Sequence, residues 1–150
     1  MRAMTAHGQA PHPPEVPGSG PAAAAAQGLI LLAHGARDPA WAAPFERVAA
    51  AVRAQRPAWR VSLAYLELMT PDLLTAGTVL AAQGCAQVTV LPLFLGVGGH
   101  VRRDVPALLA QLQADHPGVH WQLAPPIGEH PRLLQALADI ALGVVPPPPG

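Results

Sequence analysis

Between residues 28 and 143 the chain alternates short apolar runs with longer segments whose apolar positions recur at helical spacing, four times over. The runs cover residues 28 to 33, 60 to 66, 87 to 93 and 119 to 123; they are short, and several are rich in valine, isoleucine or leucine. A strand covered on both faces reads as such a run, so the pattern predicts buried parallel strands. The first helical segment, about 40 to 56, places Phe45, Val48, Ala49 and Val52 on one face, with Pro44 leaving its start open. The second, about 71 to 83, has Thr70 as its expected N-cap, Pro71 at its first position and Gly84 to stop it. Leu108, Leu109 and Leu112 give a third helix its apolar face, and Leu133, Leu134, Leu137, Ile140 and Ala141 do so for a fourth that begins at Pro131.

Strand followed by helix, repeated four times, specifies an α/β fold: a four-stranded parallel sheet with right-handed crossovers and helices on both faces, expected in the order 2-1-3-4. In such sheets ligands sit beyond the carboxyl ends of the strands where the winding direction reverses, here between strands 1 and 3. Residues 1 to 27, rich in proline and alanine, are expected to be a disordered tail, and residues 144 to 150 end in Pro146 to Pro149, a stiff stub. No leucine-rich segment precedes the alanines at 22 to 26, so a secretory signal is not expected and the cytoplasm is the expected compartment.

Composition narrows the partners. The 150 residues are 51% hydrophobic and 12% charged with zero formal net charge, enough apolar material for one buried core and no basic run to meet nucleic acid or an anionic membrane. No apolar stretch approaches the ~20 residues of a membrane span. The single cysteine, Cys85, excludes an internal disulfide. All nine basic residues are arginines, so neither a lysine phosphate loop nor Schiff-base chemistry is available.

The chemistry gathers at two strand ends. Leu29 to Ala33 runs into His34-Gly35-Ala36-Arg37-Asp38-Pro39, and the third strand runs through Gly96, Gly98 and Gly99 into His100, Arg102, Arg103 and Asp104. Adjacent strands lie ~4.8 Å apart, so both imidazoles are expected to reach one small ion or flat ligand from a shared rim. Two neutral histidines with a carboxylate, here Glu67 from the second strand's exit, suit a divalent first-row metal, and an ordinary imidazole also accepts protons near pH ~6.5. Arginine holds carboxylates by paired hydrogen bonds, so Arg37, Arg102 and Arg103 imply a ligand carrying several of them, with only one of the adjacent Arg102 and Arg103 expected to meet it because neighbouring side chains point in different directions. Gly35, Gly98 and Gly99 leave room for a planar ligand to approach the backbone.

Taken in order, His34-Gly35-Ala36-Arg37-Asp38-Pro39, Tyr65-Leu66-Glu67 followed by Thr70-Pro71, Pro92 to Leu95 through Gly99-His100, and Asp104-Val105-Pro106 resemble the sirohydrochlorin cobaltochelatases and ferrochelatases in their short, single-domain form. The resemblance covers roughly residues 28 to 142. It implies one half of a class II chelatase architecture and a lyase-type activity, insertion of a divalent metal into a tetrapyrrole bearing eight carboxylates, on the route to cobalamin or sirohaem. By position, His34 and His100 correspond to the metal ligands and proton acceptors, with Glu67 as a partner in handling protons or metal. The metal, Co²⁺ or alternatively Fe²⁺ or Ni²⁺, is then a substrate, and no permanently bound cofactor is expected. Larger members place substrate between two such domains, so the resemblance implies a homodimer that completes the cleft. Ala36 stands where a serine is common in the family, which removes a hydroxyl from the site.

Blander readings compete with these. A histidine at a strand exit is most often a capping or hydrogen-bonded residue; two at adjacent exits shift the balance. His116, His120 and His130 lack that arrangement and are expected as surface, loop or cap residues, while Asp38 and Asp104 are placed to be helix N-caps. Trp41, Trp59 and Trp121 are expected to be packing or rim residues. The segment Gly96 to Val101 lacks the last glycine of a dinucleotide loop and follows the wrong strand, and only Ser19 and Ser62 could serve as a serine nucleophile. A non-catalytic protein that stores or delivers metal or tetrapyrrole through the same histidines is the alternative function.

Overall fold

The computed structural model describes residues 25–150; the tail expected over 1–27 lies outside them up to residue 24, and the first strand already begins at Gln27. Four strands, β1 (Gln27–Ala33), β2 (Arg60–Tyr65), β3 (Gln87–Pro92) and β4 (His120–Leu123), form one parallel sheet in the order β2-β1-β3-β4. The four helices are α1 (Ala43–Gln55), α2 (Leu73–Ala82), α3 (Gly99–Asp115) and α4 (Pro131–Val144). Register aligns the strand ends that matter: Ala33 pairs with Tyr65, and Leu32 with Pro92. The parallel order predicted from the apolar runs is the order observed.

Alternation within β1 divides the core in two. Ile30 and Leu32 join Ala64, Val88 and Val90 beneath α2 and α3, packed against Leu73, Leu80, Val105 and Leu112. On the other face, Ala33 and Tyr65 pack under Ala42, Trp41 and Phe45. Gly77 lets α2 pack close against α3, since a Cβ there would meet Leu112 Cδ2 at 2.7 Å. Trp121 is buried and donates its indole N–H to the His116 carbonyl, while Trp41 stacks on Phe45 and Trp59 stays at the rim near the Arg56 guanidinium.

Several element boundaries differ from expectation for local reasons. The first helical segment is split: Asp38 accepts from Ala40 N–H and starts a 3-10 turn (Pro39–Ala42), and α1 follows it. Asp38 is therefore a cap, as anticipated. The N-cap of α2 is Asp72 and not Thr70, because Tyr65 N–H donates to the Pro71 carbonyl and keeps the chain extended through residue 72. Asp72 then accepts from Thr75 N–H at 2.8 Å. Asp104 caps nothing: α3 begins at Gly99, with Arg102 N–H donating to Gly98 O, and carries both Asp104 and Pro106 inside it.

The last helix is the exception in packing. His130 caps α4 through Nδ1, which accepts from Arg132 N–H, yet none of the helix's residues is buried. Leu134, Leu137 and Ile140 are 50%, 41% and 62% exposed along one stripe. On the sheet face opposite α2 and α3, α1 packs on β1 and β2, while Leu91 of β3, like Leu93 just beyond it, remains half-buried.

Candidate functional site

Three strand ends converge at the carboxyl edge of the sheet. His34 follows β1 directly and its side chain is exposed, but its ring is backed by Phe94, whose centroid is 4.3 Å away at 34°. Phe94 is itself only 2% exposed, so the imidazole rests on a fixed apolar surface and presents its far side to solvent. The neighbouring exits are tied to it by backbone. Leu66 N–H donates to Ala33 O, Glu67 N–H donates to His34 O at 3.1 Å, and Leu93 N–H donates to Leu32 O at 2.8 Å.

Gly35 makes the close approach of the β1 and β2 exits possible. It lies at φ +97°, a conformation disfavoured for residues with a side chain, and the Glu67 carbonyl oxygen occupies the space a Cβ would fill. The His34 and Glu67 backbones are therefore brought side by side at the edge to which the sequence pattern assigned both residues. His100 is not at the strand exit: it sits in the first turn of α3, beyond the Phe94 to Gly98 connection, exposed. Among the described residues no three His, Cys, Asp or Glu side chains assemble into a metal cage, so Glu67 does not join both histidines as a third ligand in one protomer.

The arginines flank this opening. Arg102 Nε–H donates to Val97 O and Arg103 Nε–H to Gly99 O, each bond folding the side chain back along the start of α3, while both residues remain exposed, as is Arg37. The α3 N-terminus has no side-chain cap, leaving backbone N–H groups beside the two guanidinium groups, a combination that favours carboxylates. A Cβ at Gly98 would meet no atom within 4 Å, and one at Gly99 only the Arg103 side chain at 3.9 Å. Packing within the protein does not demand glycine at either position.

A feature the sequence reading missed is a pocket of about 150 Å³ beside the opening, at the ends of β3 and β4. Phe94, Val97, Val101 and Leu123 line it, with Arg102 and Glu129 as its charged members. The turn over residues 127–129 closes against it: Gly128 N–H donates to Phe94 O, and Gly128 has no side chain where the Leu95 carbonyl packs. The only sequence signal was Pro125-Pro126 just past the fourth strand. Cys85 lies away from this edge, between α2 and β3, where burial pushes its thiol up and keeps it protonated.

Comparison with known proteins gives one consistent answer. The family model CbiX matches residues 28–141. A CbiX protein of known structure from Marinobacter aquaeolei VT8 is 42% identical, with a TM-score of 0.68 over 78% of this chain and 95% of that one. The sirohydrochlorin cobaltochelatase of Sulfurisphaera tokodaii is 28% identical over 75% of this chain and 88% of its own length. The chloroplastic sirohydrochlorin ferrochelatase of Arabidopsis thaliana is 29% identical over 76% of this chain, which spans only 51% of that protein.

Proposed function

Because the chain belongs to the CbiX family, we propose that it is a lyase that inserts a divalent metal into sirohydrochlorin, with Co²⁺ the leading metal and Fe²⁺ or Ni²⁺ as alternatives. The observation that carries this reading is the exposed His34 imidazole, held on Phe94 at the centre of the edge where β1, β2 and β3 end. His34 and His100 hold the cation through imidazole nitrogens as it sheds waters. Arg37 and one of Arg102 and Arg103, with the free N–H groups opening α3, take substrate carboxylates, and the bare backbone at Gly98 and Gly99 lets a flat ring come close. As the metal enters, the two inner N–H protons of the macrocycle leave. The imidazoles accept them once they release the cation, and Glu67, whose backbone is bonded to that of His34, is the residue proposed to pass them to water. One M²⁺ is thereby exchanged for two protons.

We assign the active form as a homodimer. Support comes from the uncovered stripe of α4 and from Leu91 and Leu93, left half-buried on one face of the sheet. A second copy would close the open mouth of the site. Cobalamin or sirohaem synthesis is the pathway proposed, and the cytoplasm the compartment, in keeping with one buried free thiol. Among the described residues no helix is long and apolar enough to cross a membrane, and no nucleic-acid partner is proposed for a chain without net charge.

The test is spectral conversion of excess sirohydrochlorin by the protein with Co²⁺, Fe²⁺ or Ni²⁺ supplied in competition. Multiple turnovers support the chelatase. Stoichiometric binding without product release marks a carrier that uses the same histidines.

A further inference from the structure

Leu68 has an unusual backbone for a leucine. It lies at φ +64°, and Met69 N–H donates to Glu67 O across it at 2.8 Å, which is the pattern of the strained form of the γ-turn. The Leu68 side chain itself adds nothing to the core, being 62% exposed. A comparable residue stands on the other side of His34: Leu95, 63% exposed, next to the buried Phe94. Outside the helices, the exposed large apolar side chains among the described residues are Trp59, Leu68, Leu95 and Val145. Trp59 precedes β2 at the opposite edge of the sheet, and Val145 ends α4.

Both leucines are held by the same device. The Glu67 carbonyl, one residue before Leu68, packs on Gly35, and the Leu95 carbonyl packs on Gly128. Each turn is locked by backbone meeting a bare Cα, so neither side chain can swing away with its loop. The two turns follow β2 and β3, which flank β1, so the leucines stand on either side of His34 at a separation on the order of 10 Å. That is comparable to the span of a four-ring macrocycle.

We propose that Leu68 and Leu95 are a pair of rigid apolar posts on which one face of the macrocycle rests, setting its height over the His34 imidazole. This rests on the reading of the substrate as a flat tetrapyrrole and adds the positioning residues for it. The strain at Leu68 is kept because it aims an apolar side chain at the substrate. Flat apolar faces seek such contacts, while the arginines take the rim carboxylates.

The experiment compares wild type with Leu95→Ala, Leu68→Gly and the double variant, with Val79→Ala on α2 as a control of similar exposure. Each variant is measured for KM and kcat with sirohydrochlorin and Co²⁺, for binding of Co²⁺ alone, and for its urea midpoint. Each single change is expected to raise KM about tenfold, and the pair about a hundredfold, as lost apolar contact dictates. Co²⁺ binding should be unchanged, Leu95→Ala should keep the wild-type midpoint, and Leu68→Gly should match or exceed it because glycine relieves the turn. Wild-type KM in both single variants, with wild type chelating normally, overturns the posts alone. A KM rise matched by Val79→Ala, or accompanied by weaker Co²⁺ binding, overturns them as well. If wild type neither binds nor metallates sirohydrochlorin, the functional reading falls and the posts fall with it.

Discussion

Gly35→Ala tests whether the site is built by the contact described between the first two strand exits. Gly35 holds φ +97° and its missing Cβ is replaced by the Glu67 carbonyl oxygen. A left-handed backbone costs a residue with a side chain about 1–2 kcal/mol. Forcing one more carbon into packed backbone adds about 1–3 kcal/mol. Together, about 2–5 kcal/mol is a large share of the about 5–15 kcal/mol that stabilises an ordinary domain. With a urea slope of about 1–3 kcal/mol per molar, the midpoint followed by circular dichroism should fall by about 1–2 M. The alternative to unfolding is displacement of Glu67 from His34, so chelation by the folded fraction should fall too. A midpoint within about 0.3 M of wild type, with chelation intact, would refute the contact between Gly35 and the Glu67 carbonyl.

Gly98→Ala separates function from fold. Since a Cβ there meets nothing within 4 Å, the urea midpoint should move by less than about 0.5 kcal/mol of stability, while the new methyl should reduce chelation several-fold if substrate approaches that backbone. Asp72→Ala removes the α2 cap and should cost about 1 kcal/mol at neutral pH. Because the Thr75 backbone N–H, and then its hydroxyl, hold the Asp72 carboxyl below its ordinary 3.8, that stabilisation is complete above 3.8 and disappears as pH falls through the lower folded value. Melts of the two proteins should therefore converge in acid. Leu137→Glu with Ile140→Glu places two charges on the exposed α4 stripe; if the proposed homodimer uses it, sedimentation should show a dimer for wild type and a monomer for the variant, with unchanged helix content.

The strands and their order were legible because each strand is covered on at least one face by its neighbours, and an alternation of apolar runs with amphipathic segments leaves few topologies open. His34 was legible for the same reason, as the first polar residue after β1. His100 was placed too near its strand. Gly96, Gly98 and Gly99 read locally as loop and Pro106 reads as a helix start, whereas the α3 backbone bonds begin at Gly98 and run past the proline. Thr70 and Asp72 are both competent caps, and the choice between them is made by a hydrogen bond from Tyr65 that no local pattern records. Phe94 beneath His34, the strained turn at Leu68 and the pocket at the end of β4 depend on contacts between distant segments, so they emerge only with the fold. The apolar stripe of α4 was readable from its spacing; that it is left uncovered was not.

The central claim is that His34 and His100 hold one metal ion. X-ray absorption of the Co²⁺-loaded protein counts imidazoles in the metal's shell directly, and the account predicts two in wild type and one in each of His34→Ala and His100→Ala, with both variants folded and neither able to metallate sirohydrochlorin. A Co²⁺ shell unchanged in the His100→Ala protein, with insertion proceeding at the wild-type rate, would contradict it.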